Sequence, residues 1–350
     1  MDDFDQAFIQ APEHRPKLSD PEADGIPTVD LSPIFNSPDG TFPDDLVRQI
    51  ASTSIDWGFF LVVNHGVPAE KRQRMEAASR EFFRRSLEEK RTVMKVEGMV
   101  TGYSDMELTK NVRDWKEVFD FIVADPTVVP VSPEPNDHRL THWTNQWPTY
   151  LPEFREAGKE YAEELEKLGH KLVELIAVSL GLPAQRFRDY FKEKTSMVRL
   201  NHYPPCSLPE MALGVGRHND PGVLTMLVQD DVGGLEVKRK RDGEWIRVKP
   251  VPDSYVVNIG NVTQAWSNER YESVEHRAMV NHKKERYSIA FFFNPSHSTV
   301  VEPLKELITP ENPPNYKSYS WGKYLSNRML SNFKQLNADN IQVSHFKISN

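Results

Sequence analysis

Between residues 195 and 293 the chain breaks into short runs of β-type residues separated by Gly, Pro, Asp and Asn, and no other feature limits its fold as much. The runs are Met197 to Tyr203, Val223 to Val228, Leu235 to Val237, Trp245 to Val248, Ser254 to Ile259, Val274 to Val280 and Arg286 to Phe293. Strands this short bury nothing alone, so they must close on one another as an antiparallel barrel or sandwich. The preceding half has another texture. From Pro152 to Leu180, Tyr161, Leu165, Leu168, Leu172, Leu175 and Val178 recur at helical spacing, and Gly181 with Pro183 supplies the stop. That stripe should lie against a sheet. Residues 43–56 also read as helix, residues 69–97 as amphipathic helices, and Ile26 to Leu31 and Trp57 to Val63 as two early strands. The expected fold class is mainly β with flanking helices.

Hydrophobic residues make up 38% of the 350, enough to fill the core of one large unit. Four stretches are expected: a flexible arm over residues 1–25, a helical region integrated with the core over 26–194, the barrel over 195–300, and a helical tail over 301–350. Lys and Arg number 43 against 51 Asp and Glu, and the resulting charge of −8 excludes a generally basic nucleic-acid binder. Cys206 is the sole cysteine, which excludes an intrachain disulfide scaffold. The start, Met1 to Asp5, is acidic where a leader would be basic, and no apolar run approaches the roughly 20 residues of a membrane span. The expectation is a cytoplasmic, monomeric protein whose partner is a small molecule, neither nucleic acid nor membrane.

Two groups of residues carry chemistry. His218 and Asp220 are two apart beside a strand, so both can face one ion, and His276 from another strand could complete a triangle. Two imidazoles and a carboxylate form the facial triad of non-haem iron oxygenases. In a chain with 11 histidines an H-x-D also arises by chance, so the trio alone leaves metal binding open. Arg286 and Ser288 share one strand face and together would receive a carboxylate, through a planar fork of donors and a hydroxyl. Taken alone the pair reads as a solvent-facing strand charge. The apolar run Ile289 to Phe293 that follows favours a buried guanidinium needing an anion. Other features point to structure. Gly214 to Asn219 lacks the last Gly of a dinucleotide loop, Lys238 to Arg241 precedes a hairpin turn, His65 sits in a Gly turn, and Cys206 has no evident base.

Together these residues, with Asn201 to Cys206, Leu224 to Leu235, Gly58-Phe59-Phe60, Asn64 to Pro68, Asp114 to Glu117 and Asn145 to Pro148, closely resemble the plant-type Fe(II)/2-oxoglutarate-dependent dioxygenases. This is the isopenicillin N synthase-like group that includes flavonol synthase, anthocyanidin synthase and gibberellin oxidases. The resemblance spans about residues 26 to 345. It implies a double-stranded β-helix (jelly roll) core, iron on His218, Asp220 and His276, and the distal carboxylate of 2-oxoglutarate on Arg286 and Ser288, assisted by Tyr203 and Asn201. It also implies dioxygen as oxidant, ascorbate as an auxiliary reductant, and release of succinate and carbon dioxide as a small organic molecule of specialised metabolism or hormone turnover is hydroxylated, desaturated or demethylated. His202 and Asn219 stand where relatives often have Tyr and Thr or Ser, and neither change removes a ligand.

By position along the resembling segments, Phe119, Phe121, Phe292 and Phe293 are candidates for the substrate pocket, with at least two of the four expected in the barrel core. Three other readings stay open. A His2Asp zinc hydrolase could use the same ligands, although it needs no 2-oxoglutarate receptor and no H-E-x-x-H helix is present. A member that only binds a small molecule could keep the fold. 1-Aminocyclopropane-1-carboxylate oxidase shares the triad but uses ascorbate instead of 2-oxoglutarate.

Overall fold

Residues that alternate in polarity along a strand must face two different environments, and here one environment is a barrel interior and the other a helical layer. The structure is a computed structural model describing residues 4–18, 22–23, 25–35, 41–96, 98–331 and 341–348. In chain order it begins with β1 (Glu22–Ala23), β2 (Thr28–Asp30), α1 (Ser32–Phe35), α2 (Asp44–Asp56), β3 (Phe59–Val63), α3 (Ala69–Arg84) and α4 (Leu87–Arg91). Next come β4 (Gly102–Ser104), β5 (Leu108–Thr109), β6 (Val112–Arg113), β7 (Glu117–Ile122), β8 (Thr127–Pro130), β9 (Leu140–Trp143) and α5 (Pro152–Ser179). The barrel strands follow as β10 (Met197–Tyr203), β11 (Val215–His218), β12 (Leu224–Gln229), β13 (Leu235–Lys238), β14 (Trp245–Val248) and β15 (Tyr255–Ile259). Then come α6 (Asn261–Trp266), β16 (His276–Ala278), β17 (Arg286–Phe293), β18 (Val300–Val301), β19 (Tyr319–Ser320) and α7 (Trp321–Ser331).

Two sheets face each other. The larger has the order β2-β3-β15-β12-β17-β10-β7-β4 and the smaller β1-β14-β13-β16-β11. This is the expected jelly roll with flanking helices. Strand β17 shows the sorting: Tyr287, Ile289, Phe291 and Phe293 join the main core, while Arg286, Ser288, Ala290 and Phe292 line the cavity between the sheets. The core side is closed by α5, whose predicted stripe is buried at Tyr161, Leu165, Leu168, Leu172 and Leu175. Two glycines let this helix approach closely. A Cβ at Gly158 would lie 3.1 Å from the Phe121 ring, and one at Gly169 would lie 2.7 Å from the Phe293 ring. Each large side chain buried here contributes roughly 1.5–3 kcal/mol.

Three expectations need correction. The region 26–194 is not only helical: β4 and β7 extend the large sheet, β7 pairing with β10 so that Asp120 lies opposite Arg199. A buried acid in the middle of Glu117–Ile122 breaks the apolar alternation by which a strand is recognised. Second, the described part of the arm is docked. Phe4 stacks on Trp115 at 5.2 Å, Phe8 meets the same ring edge-on at 4.8 Å, and Gln10 N–H donates to Met211 O. Further along, His14 Nε2 lies 3.0 Å from Arg217 Nη2, and Glu22–Ala23 pairs in parallel with β14. The rest of that stretch, and most of residues 332–350, lies outside the described residues. Third, three of the four pocket phenylalanines are in the core, as described below. No helix among the described residues is long and apolar enough to cross a membrane.

Candidate active site

Strands β11 and β16 pair in a register that places His218 opposite His276, with ring centroids 4.2 Å apart. Asp220 follows two residues after His218, in the short connection to β12. Its Oδ1 lies 3.5 Å from His218 Nε2 and 3.6 Å from His276 Nε2, and the three ligand atoms fall within 4.8 Å of one another. Backbone carbonyls set the tautomers. Gly216 O accepts from His218 Nδ1 at 2.8 Å and Val274 O from His276 Nδ1 at 3.2 Å, so each neutral ring keeps its Nε2 lone pair for the shared centre. Asp220 Oδ2 accepts from Thr225 Oγ1 at 2.5 Å and Asn258 Nδ2 at 2.8 Å, which leaves Oδ1 to face the imidazoles. Burial works to raise the Asp220 carboxyl, but His276, His218 and the Thr225 hydroxyl hold it well below the usual carboxylate range. His276 is pushed down to about 4, chiefly by burial and then by the neighbouring imidazole.

Arg286 and Ser288 lie on the inward face of β17, deeper in the same cavity. Arg286 is 3% exposed, and among the described residues only one of its nitrogens has a hydrogen-bond partner: Nη2 donates to Gln229 Oε1 at 3.1 Å, while Nε and Nη1 are buried without an acceptor. Tyr203 lies beneath the guanidinium at 4.7 Å, and Asn201 Nδ2 donates weakly to Ser288 Oγ at 3.4 Å. The loop between β12 and β13 closes over this end through Gly234, whose φ of +104° admits few other residues and whose Cβ position is 3.5 Å from Arg286 Cδ. A carboxylate is the group this corner lacks.

From the triad the cavity continues into an open cleft. Lys116, Arg199, Val215 and Phe292 belong to both, and the cleft is bounded outside by the β5–β6 hairpin and by Leu325, Arg328 and Met329 of α7. Its floor is a buried ion network. Arg199 engages Asp120 through Nε (2.9 Å) and Nη2 (2.6 Å), and Glu107 through Nη1 (2.8 Å) and Nη2 (2.7 Å). Lys95 joins both acids, and Lys116 bridges Glu107 and Asp114. Burial opposes ionisation of Glu107, yet Arg199, Lys95 and Lys116 hold it well below its ordinary range. Asp114 also accepts from Gly216 N–H at 2.9 Å and Thr109 Oγ1 at 2.8 Å, tying the hairpin to the strand that carries His218.

The structure thus gathers His218, Asp220, His276, Arg286, Ser288, Asn201 and Tyr203 around one cavity. Of the four phenylalanines, Phe292 lines it. Phe119, Phe121 and Phe293 do not. They point to the opposite sheet face, where Phe119 packs on Phe82 and Phe154, Phe121 on Trp147, and Phe293 on Phe191. The reason is the period of two, which puts Phe293 opposite Phe292 and the odd-numbered residues of β7 opposite Asp120. His202 faces outward too, stacked on Tyr287 at 4.6 Å, while Asn219 Nδ2 donates to Ser273 O, near His276. Residues not found from sequence are Thr225, Asn258, Gln229 and the ion network. Their partners are far away in the chain, but a lone charge inside an apolar strand, as at Arg199 and Asp120, was a usable signal.

Known proteins match at both ends of this arrangement. Residues 194–295 match the family model of the 2OG-Fe(II) oxygenase superfamily, and residues 26–150 that of the non-haem dioxygenase in morphine synthesis N-terminal region. Jasmonate-induced oxygenase 2 of Arabidopsis thaliana is 37% identical over 324 residues, covering 91% of this chain and 83% of the relative. Gibberellin 20 oxidase 2 of Oryza sativa subsp. japonica is 38% identical over 302 residues, covering 85% and 73%. Among solved structures, JOX2 in complex with 2OG, Fe and JA aligns with a TM-score of 0.77 at 32% identity, covering 96% of this chain and 91% of the other.

Proposed function

Because the chain belongs to the 2OG-Fe(II) oxygenase superfamily, and so is a dioxygenase that takes Fe(II), 2-oxoglutarate and dioxygen, we propose that His218, Asp220 and His276 hold its iron and that Arg286 and Ser288 hold the far carboxylate of 2-oxoglutarate. The single observation that carries this reading is the pair of orphaned nitrogens on buried Arg286, in the same cavity as three convergent ligand atoms. A dicarboxylic keto acid satisfies both ends at once. When bound, the metal and co-substrates supply the oxidising power, and the coupled products are succinate and carbon dioxide.

The residues prepare and protect that site. The Gly216 and Val274 carbonyls fix the two imidazoles, and Thr225 with Asn258 keeps Asp220 to one free oxygen. Phe59, Leu227 and Leu235 line the cavity and keep water from the keto acid, while Tyr203 and Asn201 support Arg286 and Ser288. The primary substrate lies in the cleft beyond His218, against Phe292. Its class is a small organic molecule of hormone turnover or specialised metabolism, a reading supported by a jasmonate-induced oxygenase and a gibberellin oxidase among the relatives. Hydroxylation, desaturation and demethylation all begin at a C–H bond held there, and ascorbate serves as an auxiliary reductant. A hydrolase built on the same three ligands would leave the Arg286 corner without a use. The intact set of three convergent ligands, in a cavity that is not blocked, argues against a member that only binds. We read the enzyme as monomeric and cytoplasmic, with no nucleic-acid partner, in keeping with the net charge of −8 and a single, buried Cys206.

Anaerobic addition of Fe(II) and 2-oxoglutarate should give a visible metal-to-ligand charge-transfer band that Asp220→Ala abolishes in folded protein. An unchanged band in each of His218→Ala, Asp220→Ala and His276→Ala would overturn the ligand assignment.

A further inference from the structure

The two imidazoles of the triad are held unequally. His276 belongs to β16, which has a neighbouring strand on each side, whereas His218 ends β11, the edge strand of the smaller sheet. Between Val215 and His218 the register of β11 on β16 shifts, so the ladder secures only the two ends of this strand. The His218 side chain is 24% exposed against 10% for His276. An irregular edge strand keeps a metal ligand in one position only if something outside the sheet ties it down.

The tie comes from the N-terminal arm. His14 closes the turn Pro12–His14 and takes a hydrogen bond from the neighbour of each imidazole: Arg217 Nη2 donates to its Nε2 at 3.0 Å, and Arg277 Nη1 to its carbonyl oxygen at 3.4 Å. A guanidinium can only donate, so the His14 ring meets Arg217 with a lone pair on Nε2, as a neutral acceptor. Each arginine has a second anchor. Arg217 Nη1 donates to Glu275 Oε1 at 2.6 Å, and Arg277 Nε donates to Glu236 Oε2 at 2.8 Å with its guanidinium 4.2 Å from the centre of the Trp245 ring. The turn itself is fixed, because Phe8 lies 4.7 Å from the Arg113 guanidinium and Arg15 Nε donates to Gln10 O at 3.2 Å. One residue of the arm thus joins β11 to β16 beside the His218–His276 pair.

We propose that His14 is a positioning residue of the iron centre: by joining Arg217 to Arg277 it holds His218 at the separation from His276 that the metal requires, so that docking of the arm and binding of Fe(II) strengthen each other. This role rests on the assignment of iron to His218, Asp220 and His276, and adds to it a residue that touches none of the three. Such coupling is reciprocal. Whatever the docked arm adds to iron affinity, bound iron adds to the docking of the arm. Direct outer partners of metal ligands are typically worth about 10- to 100-fold in metal affinity, and His14 stands one residue further out, so its effect should be smaller.

The test is an anaerobic Fe(II) titration of the full chain at saturating 2-oxoglutarate, read by the charge-transfer band to give the Kd for iron. His14→Ala should weaken iron binding about 3- to 10-fold, while KM for 2-oxoglutarate at saturating iron stays that of the parent. His14→Gln, whose amide oxygen is again a neutral acceptor, should recover most of the loss. His14→Arg, which sets a third guanidinium against the other two, should lose more than His14→Ala. In the parent, amide hydrogen exchange over residues 4–15 should slow when Fe(II) is added, and in His14→Ala it should not. The positioning role is wrong if His14→Ala binds iron as tightly as the parent, if His14→Gln does no better than His14→Ala, or if iron leaves exchange in the parent's arm unchanged. His218→Ala is titrated alongside. A band lost in that variant while His14→Ala titrates like the parent overturns the role of His14 alone, and a band that survives there overturns the ligand assignment beneath it.

Discussion

Arg199 and Arg286 both project from mid-barrel strands into the space between the sheets, yet their surroundings are opposite. Arg199 is closed in two forks by Glu107 and Asp120, whereas among the described residues Arg286 has one neutral hydrogen-bond partner, Gln229, and two buried nitrogens with none. A buried charge that is already paired serves architecture. One that is left open at a cost in desolvation serves a ligand that arrives later.

The sharpest way to break this comparison is to remove each guanidinium and measure the metal-free protein. Arg199→Met leaves Glu107 and Asp120 without their forks, and thermal or denaturant unfolding should register a loss of about 3–5 kcal/mol. Arg286→Met removes a cation whose hydrogen bond among the described residues is to the neutral Gln229 amide and which feels the Asp230 carboxylate only through its field, so the apo-protein should lose far less stability than with Arg199→Met. Equal destabilisation by both substitutions would erase the distinction.

Ligand affinity should reverse the order. Arg286→Met should raise KM for 2-oxoglutarate by roughly 10- to 150-fold, with kcat partly recovered at saturation, because the contact lies far from the reacting bond. An unchanged KM in folded, iron-loaded protein would count against the receptor.

Acid sharpens the contrast further. Glu107 is held below its ordinary range, so its contribution to stability is fully present above about pH 4.5 and is lost as the pH falls through its lowered value. A Tm profile from pH 6 to pH 3 should therefore fall for the parent and for Arg286→Met, and be flatter for Arg199→Met, which lacks the main cation holding Glu107 down. The smallest effect expected is that of Ser288→Ala: one neutral donor is lost, worth about 1 kcal/mol, and KM for 2-oxoglutarate should rise about fivefold. A shift as large as that of Arg286→Met would mean that the hydroxyl contributes as much as the guanidinium.

The legibility of these features in the sequence follows the range of the interactions that make them. The β runs after residue 195 and the α5 stripe depend on neighbours two to four positions apart and were readable, as were the pairs His218 with Asp220 and Arg286 with Ser288. Strand β7 was hidden because its inward Asp120 makes sense only beside Arg199, 79 positions on. The hydrogen bond from Asn258 to Asp220 spans 38 positions and has no local signature. Phe293 was readable and was misplaced: the same alternation that puts Arg286 and Ser288 on one face puts Phe292 with them and Phe293 behind.

The docked arm bears on how this protein is handled in the laboratory. Phe4 and Phe8 cover Trp115, which sits between Asp114, the acceptor of the Gly216 N–H, and Lys116 in the cleft wall. His14 meets Arg217, the neighbour of His218. A gene shortened to begin at the first strand of the large sheet, or a purification tag fused tightly ahead of Phe4, would disturb the packing behind the iron-bearing strand, and weak metal loading in such a preparation would report on the cloning and not on the enzyme.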